Sequence, residues 1–262
     1  MQGPELENVI MDVIMDKMLS VKNITILAGE GEKSKKIIDD LSLEIAQGET
    51  VVILGPNGAG KSTLGAAMMG DPKFKIPEGE IRFLGENITN MKVDERAKLG
   101  MMMTMQNPVE VPGISTTNVI RAALNARGEN LSLDKIREQI SIVCKKLKTN
   151  IFFAEREINY KFSGGEKKKN EVLQALVLKP KLLILDEIDS GLDIDAADLI
   201  SELLRELQEE NKTTLLIVTH NMRILRSLKV DRVCILKSGQ IVKTGTRELL
   251  ESIEKNGFEG IL

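Results

Sequence analysis

The feature that most restricts how this chain can fold is a glycine-rich run between two apolar segments. Residues 55–63 read Gly-Pro-Asn-Gly-Ala-Gly-Lys-Ser-Thr, which fits the pattern G-x-x-x-x-G-K-[ST]. The run directly follows Thr50-Val-Val-Ile-Leu and precedes the helix-favouring Leu64-Gly-Ala-Ala-Met-Met. A buried strand, a loop and a helix in this order predict a phosphate-binding loop at the N-terminus of the helix.

The residue types in this loop suit a nucleotide phosphate. The glycines let the backbone curl, so that successive amide hydrogens point at phosphate oxygens. Lys61 is expected to bring positive charge to the β and γ phosphates, Ser62 a hydroxyl to Mg2+, and Thr63 support for the α phosphate. The predicted nucleotide-binding residues of the loop are Gly55, Pro56, Asn57, Gly58, Ala59, Gly60, Lys61, Ser62 and Thr63.

The remaining pattern predicts an α/β architecture. Apolar runs at 181–186 and 213–219 are typical of buried strands, and a leucine-rich helical stretch separates them. Period-2 alternation before the loop predicts antiparallel edge strands. Helical periodicity over about 116–149 predicts a helical lobe, and residues 233–242 predict a closing hairpin.

Polar residues at the ends of the predicted strands complete a hydrolytic site. Asp186 is placed to hold Mg2+ directly or through water, and Glu187 to polarise the attacking water. His220 is the single histidine, and its position after a strand favours a γ-phosphate contact over a structural hydrogen bond. Gln106 can reach both metal and water. These residues predict Mg-dependent ATP hydrolysis.

Composition excludes several other functions. The net charge of −3 lacks the basic footprint of nucleic-acid binding. The apolar runs are far shorter than the roughly 20 residues of a membrane span, so no membrane insertion and a cytoplasmic location are expected. Cys144 and Cys234 form no Cys-x-x-Cys pair, which argues against a disulfide framework or a self-contained iron-sulfur site and favours buried free thiols.

The domain organisation follows from the same patterns. Residues 1–17 are interpreted as a weakly ordered extension, with a short amphipathic docking helix as the alternative. Residues 18–262 are predicted to form one domain, with a helical lobe inserted at about 107–165.

In order and spacing, these motifs together with Phe162-Ser-Gly-Gly-Glu166 and Ser190-Gly-Leu-Asp193 resemble the ABC ATPase nucleotide-binding domain from Met18 onward. The resemblance implies an α/β fold, with a parallel-sheet P-loop core, an antiparallel β subdomain and an inserted α-helical lobe. It also implies an ATP-dependent homodimer, in which the Ser-Gly-Gly segment of one subunit caps the γ phosphate held by Lys61 of the other. The implied additions to the nucleotide site are Ser163, Gly164, Gly165, Glu166 and Asp193.

Within that family the chain resembles the SufC group, the ATPases of the SUF iron-sulfur cluster assembly system. The similar segments are 162–174, 186–193, 106–115 and 242–245. This resemblance implies that ATP-driven closure reshapes a SufB or SufBD scaffold, which docks on residues 106–115 and the adjoining lobe. The alternatives are the energy subunit of a membrane ABC transporter and a nucleotide-gated clamp with negligible turnover. Glu187 and His220 argue against the clamp.

The chain departs from the resemblance in three places. Lys169 stands where SufC proteins usually have Arg, which keeps the charge but loses the planar fork. The extension before Met18 has no counterpart. Many ABC domains stack adenine on an aromatic residue ahead of the phosphate loop, whereas the first aromatic here is Phe74, so selectivity between ATP and GTP stays open.

Overall fold

The chain divides into two compact units, which a computed structural model describes over residues 17–29, 31, 34–219 and 222–258. The first unit comprises 1–97, 214–218 and 230–262, and the second comprises 98–213 and 219–229. Of the predicted extension, residues 1–16 lie outside the described residues, and Lys17 is already the first residue of a strand.

An antiparallel sheet of the first unit has the strand order β2-β1-β4-β5. Its members are β1 (Lys17–Ala28), β2 (Lys35–Ala46), β4 (Phe74–Phe83) and β5 (Glu86–Asn87). The prediction of edge strands is correct for β2 and wrong for β1, which lies between β2 and β4. The pairing of β1 with β4 brings together segments on opposite sides of the phosphate loop in sequence, and a local period-2 pattern carries no information about that.

A second sheet in this unit surrounds β3 (Thr50–Leu54), whose five residues are all buried. β10 (Thr214–Val218) and β11 (Arg232–Lys237) pair with β3 in parallel on either side. β12 (Gln240–Gly245) pairs antiparallel with β11, which confirms the predicted hairpin. The continuous apolar run of β3 is what a strand with two parallel neighbours requires, because both of its faces are covered.

The helices of the first unit follow the strands. α1 (Lys61–Met69) begins at the end of the phosphate loop, as the sequence predicts. The chain passes from the first unit to the second within α2 (Val93–Leu99).

The second unit contains two small strand pairs and most of the helices. β6 (Met101–Met103) pairs in parallel with β9 (Leu182–Asp186), and β7 (Val111–Ser115) pairs antiparallel with β8 (Glu157–Ile158). The remaining elements are α3 (Thr116–Ala126), α4 (Leu133–Lys146), α5 (Phe152–Glu155), α6 (Gly164–Leu178), α7 (Ile194–Asn211) and a 3₁₀ turn (Met222–Leu225). The predicted helical stretch therefore forms α3 and α4, and the first unit ends with α8 (Arg247–Asn256).

Four helices of the second unit begin at a side chain that accepts a hydrogen bond from a backbone N–H of the first turn. Ser115 starts α3, Ser132 starts α4, Ser163 starts α6 and Asp193 starts α7. Each such cap stabilises a helix by about 1 kcal/mol, because it satisfies an N–H that has no partner within the helix. These positions fix where the functional segments turn into helices.

The core of each unit is aliphatic, and both cysteines are buried free thiols, as expected. None of the helices in the described part of the chain is both long and apolar enough to cross a membrane.

Candidate active site

The phosphate loop of the first unit is shaped by glycines that other residues could not replace. A Cβ on Gly55 would lie 2.1 Å from the carbonyl oxygen of Leu236 on β11. Gly60 is the N-cap of α1 with φ of 102°, and a Cβ there would meet Ile38 at 2.8 Å. Gly58 has φ of 79°. The loop therefore needs both close backbone approach and left-handed conformations, which only glycine adopts without strain.

Lys61 lies over this loop with only 6% of its surface exposed. Its Nζ donates to the carbonyl oxygen of Gly55 at 2.9 Å and to that of Pro56 at 3.1 Å. The first turn of α1 contains no acidic residue, so no carboxylate of that turn offsets the partial positive charge at the helix N-terminus. The loop thus combines a full positive charge with a helix N-terminus, which is the chemistry of a phosphate site.

The opposite end of α1 is held by Arg96, which the sequence analysis missed. The Nη1 of Arg96 donates to the carbonyl oxygens of Ala67 at 3.0 Å and Met68 at 2.6 Å. Nε donates to Met91 O at 3.0 Å, and Nη2 donates to Thr89 O at 2.9 Å. Burial lowers the pKa of Arg96, but arginine stays charged in proteins. A cation at the C-terminus of α1 interacts favourably with the partial negative charge of the helix dipole there and so stabilises the helix.

In the second unit, the two predicted carboxylates lie where β9 ends. Asp186 is buried as the last residue of the strand, and its N–H donates to the Thr104 Oγ1 at 3.1 Å. Glu187 follows with φ of 50°, a left-handed conformation that is uncommon outside glycine. Such strain persists where the surrounding structure imposes it, and it concentrates at functional sites.

Gln106 and Glu187 are brought together although 81 positions separate them in the sequence. The amide Nε2 of Gln106 donates to the Glu187 Oε2 at 2.7 Å. The sequence predicted that Gln106 reaches the metal and the water, and the structure places its side chain on the residue assigned to polarise that water. The hydrogen bond fixes the direction in which one oxygen of the Glu187 carboxylate points.

The Ser-Gly-Gly segment forms the N-terminus of α6. Ser163 and Glu166 form a capping box, in which Ser163 Oγ accepts from Glu166 N at 3.2 Å and Glu166 Oε2 accepts from Ser163 N at 2.8 Å. Arg156 donates to the other oxygen of Glu166 at 2.7 Å, and these bonds lower the pKa of Glu166. A Cβ on Gly164 would meet nothing within 4 Å, so the first turn is open. The contacts of Glu166 are those of a cap, and a direct nucleotide role for it stays a prediction.

The last predicted residues are only partly described. Asp193 caps α7 by accepting from Ala196 N at 2.8 Å. Both oxygens of Asp189, which the sequence analysis did not assign, accept from Thr219 Oγ1 at 3.0 and 3.1 Å. His220 follows Thr219 and lies outside the described residues, so its predicted role is neither supported nor opposed by the geometry.

Comparison with known families decides the class of this site. The sequence model described as "ABC transporter" matches residues 38–190, which is more than half of the chain. The chain belongs to the ABC ATPase family. It is thus an ATP-binding ATPase with the α/β fold of the ABC nucleotide-binding domain, as predicted. A second model, described as "AAA domain, putative AbiEii toxin, Type IV TA system", matches the shorter stretch 158–226.

Curated relatives of this ABC ATPase match over most of its length. Vegetative protein 296 of Bacillus subtilis is 41% identical over 87% of this chain and 88% of its own. A probable ABC transporter ATP-binding protein of Streptococcus pyogenes is 42% identical over 87% of this chain and 90% of its own. A probable ATP-dependent transporter of Synechocystis is 39% identical over 92% and 94%.

Solved structures of ATP-binding cassettes are similar to this chain in fold over most of its length. The ATP-binding cassette MJ0796, in a dimeric post-hydrolysis state bound to ADP and Pi, superposes with a TM-score of 0.76. It is 26% identical and covers 87% of this chain and 98% of its own. A nucleotide-free cassette of an ABC transporter gives a TM-score of 0.72 at 25% identity, over 92% of this chain and 96% of its own.

Proposed function

We propose that the chain hydrolyses Mg-ATP as one of two identical subunits that close around nucleotide. In this arrangement the phosphate loop of one subunit holds an ATP, and residues 163–165 of the other subunit cap its γ phosphate. Two observations support the pairing. The first turn of α6 is open at Gly164, and the similar cassette MJ0796 is described as a dimer bound to ADP and Pi.

The hydrogen bond between Gln106 and Glu187 carries the hydrolytic assignment. We assign Glu187 to orient the attacking water and to accept its proton, Lys61 to the β and γ phosphates, and His220 to the γ phosphate. Because the amide of Gln106 is neutral, its hydrogen bond orients the Glu187 carboxylate without neutralising the negative charge of that carboxylate. Positioning and charge stabilisation of this kind are most of what phosphoryl transfer requires.

The donor chemistry fits Mg2+. Ser62, Gln106 and Asp186 offer a hydroxyl, an amide oxygen and a carboxylate, and Mg2+ prefers oxygen ligands supplied by one or two carboxylates together with substrate phosphates. When bound, the ion supplies charge neutralisation at the β and γ phosphates. We therefore assign these three side chains to the metal.

We further propose that the chain is the ATPase of a SUF-type iron-sulfur assembly complex, working on a SufB or SufBD scaffold in the cytoplasm. The sequences of residues 162–174 and 186–193 resemble SufC proteins, which supports a function in iron-sulfur assembly over one in transport. Its own cysteines suit a role without cluster ligands, because both are buried and burial raises the pKa of Cys144 to about 11. The competing function, the energy subunit of a membrane transporter, agrees with the names of the relatives.

The scaffold is proposed to dock on the 106–115 segment and the adjoining part of the lobe. Apolar side chains there face solvent: Val109 is 61% exposed, Phe152 is 74% exposed, and Val111 is also exposed. Exposed apolar surface patches are a common feature of protein interaction sites. In domain terms, we propose that residues 18–262 act as one ABC ATPase domain with the lobe at about 107–165.

Partner identification tests this proposal. The tagged protein is purified gently from its own cells, and its stoichiometric partner is identified by mass spectrometry. A cysteine-bearing partner that resembles SufB supports iron-sulfur assembly, whereas a polytopic membrane protein replaces that function with transport. The variant V109S/F152S is expected to lose the partner. Ile142→Ser, which changes an exposed apolar residue on α4, is the matched control and is expected to keep it.

A further inference from the structure

The segment that carries Gln106 is fastened to the side of α6. We call residues 105–110 the Gln106 segment. The ammonium of Lys168 donates to the carbonyl oxygens of Met105 at 2.7 Å and Gln106 at 3.1 Å. The carboxylate of Glu171 accepts from Met105 N at 2.6 Å. Two side chains one turn apart on α6 therefore hold both the N–H and the C=O groups of the backbone beside Gln106.

The far end of the same segment is tied down as well. Lys167 pairs with Glu110 at 2.8 Å. Asn170 donates to Asn159 Oδ1 at 3.0 Å, and Asn159 in turn donates to Val109 O at 2.9 Å. The Gln106 segment is thus connected at both ends to one stretch of α6, which leaves the Gln106 side chain to reach Glu187 from a fixed backbone.

Both side chains of the Lys168–Glu171 pair are buried. Lys168 is 3% exposed and Glu171 is 7% exposed. The second oxygen of Glu171 lacks a hydrogen-bond partner among the described residues and lies 3.7 Å from Lys168 Nζ. Removing such charges from water is costly, and apolar side chains of similar size often replace buried pairs at no loss of stability. Stability alone therefore gives no reason for a buried Lys168–Glu171 pair.

We propose that Lys168 and Glu171 form a latch that positions Gln106 against Glu187. The latch residues act through the backbone of Met105 and Gln106 and are therefore positioning residues. The latch belongs to the helix that begins after its N-cap Ser163, so it ties the backbone of Gln106 to α6. This inference rests on the proposed roles of Gln106 and Glu187.

The first test is hydrogen exchange on the full chain, which needs no turnover. Glu171→Leu removes the acceptor for Met105 N, and amide exchange in the Gln106 segment is expected to become about tenfold faster or more, because a hydrogen bond to a charged group is lost. Glu171→Gln keeps an acceptor and is expected to restore most of the protection. Thr213→Val is the matched control, because it removes a buried hydrogen bond to Pro180 O elsewhere in the same unit.

The second test is kinetic. Glu171→Leu is expected to lower kcat by about tenfold to a hundredfold, since small misplacements of a catalytic group have effects of this size. KM for ATP is expected to stay within about twofold, and Thr213→Val to match the wild type. If the latch acts through Gln106, adding Glu171→Leu to Gln106→Ala lowers kcat no further, because the side chain that the latch positions is already absent.

The outcomes separate the latch from the proposed function. Wild-type exchange in Glu171→Leu, or additive effects with Gln106→Ala, overturns the latch and leaves the ATPase assignment intact. Faster exchange together with non-additive losses in kcat supports it. If Gln106→Ala itself leaves kcat unchanged, the proposed role of Gln106 fails, and the latch fails with it as a positioning device even where the exchange rises.

Discussion

The phosphate loop of the first unit and the Gln106–Glu187 group of the second are built in different ways. In the loop, Lys61 bonds to carbonyls five and six positions away, although a Cβ on Gly55 would also meet Leu236 on β11. In the second group, the decisive contacts join residues 63, 66 and 81 positions apart. The lysine contacts of a binding loop can therefore be encoded locally, whereas the orientation of the catalytic Glu187 side chain depends on tertiary contacts within its unit.

The largest expected effect comes from breaking the local side of this comparison. Lys61→Ala removes the one full positive charge of the phosphate loop. We expect ATP turnover to fall to background and ATP affinity to fall by about a hundredfold or more, because charged hydrogen bonds to phosphate are lost. Equilibrium nucleotide binding and phosphate release measure this, with Lys75→Ala, an exposed lysine on β4, as control. Turnover at the wild-type rate would remove the loop from the site.

A glycine substitution tests whether the loop depends on close backbone approach. Gly55→Ala places a Cβ 2.1 Å from Leu236 O, so either β11 or the loop must move. We expect a loss of about 3 kcal/mol or more in the free energy of unfolding, as for severe overpacking. Gly164→Ala meets no atom within 4 Å and is expected to be near neutral in denaturant unfolding. Equal stability of the two variants would contradict the described loop.

Arg96 shows that even the local loop has a long-range support. Arg96→Met leaves buried carbonyls at the end of α1 without a donor, and we expect about 2–3 kcal/mol of destabilisation. Arg82→Met, which disturbs an exposed pair with Glu80, is expected to change stability by less than about 1 kcal/mol. Thermal or denaturant unfolding measures both. A neutral Arg96→Met would show that α1 needs no support at its C-terminus.

The pH dependence of stability sharpens the description of the second unit. Burial raises the pKa of Glu171 from 4.5 to about 7. Between these values the folded state holds a proton that the unfolded state has released, so the free energy of unfolding falls as pH rises from about 4.5 to about 7 and levels off above it. We expect wild type to lose about 2–3 kcal/mol over this range relative to Glu171→Gln. If wild type instead gains stability relative to Glu171→Gln as pH rises over this range, the raised pKa of a buried Glu171 carboxyl is contradicted.

The same contrast explains how much the sequence reveals. The phosphate loop, the strands at 50–54 and 182–186, the hairpin and the helices at 116–146 follow from local pattern, and the structure confirms them. The position of β1 inside its sheet does not follow, since its second neighbour comes from beyond the loop. Local sequence pattern shows that a residue lies at the end of a strand, but it does not show which other residues that residue contacts.

The candidate site divides along the same line. Asp186, Glu187 and Gln106 were identified by type and position, yet the hydrogen bond between the last two and the left-handed backbone of Glu187 came from the structure. Lys168 is one of three consecutive lysines at 167–169, and the sequence pattern assigns a role to neither Lys168 nor Glu171. Helical spacing puts these two on one face of α6, but nothing local shows that this face is buried against the Gln106 segment.

The central claim is that this ABC ATPase works as a nucleotide-closed pair whose base is Glu187. Glu187→Gln keeps the shape of the side chain and its bond from Gln106 but loses the base. Molar mass is measured by light scattering during size exclusion, with and without Mg-ATP, alongside phosphate release. We expect an ATP-dependent dimer with turnover lowered by about a hundredfold or more. Wild-type turnover, or a monomer that ATP leaves unchanged, would contradict the account.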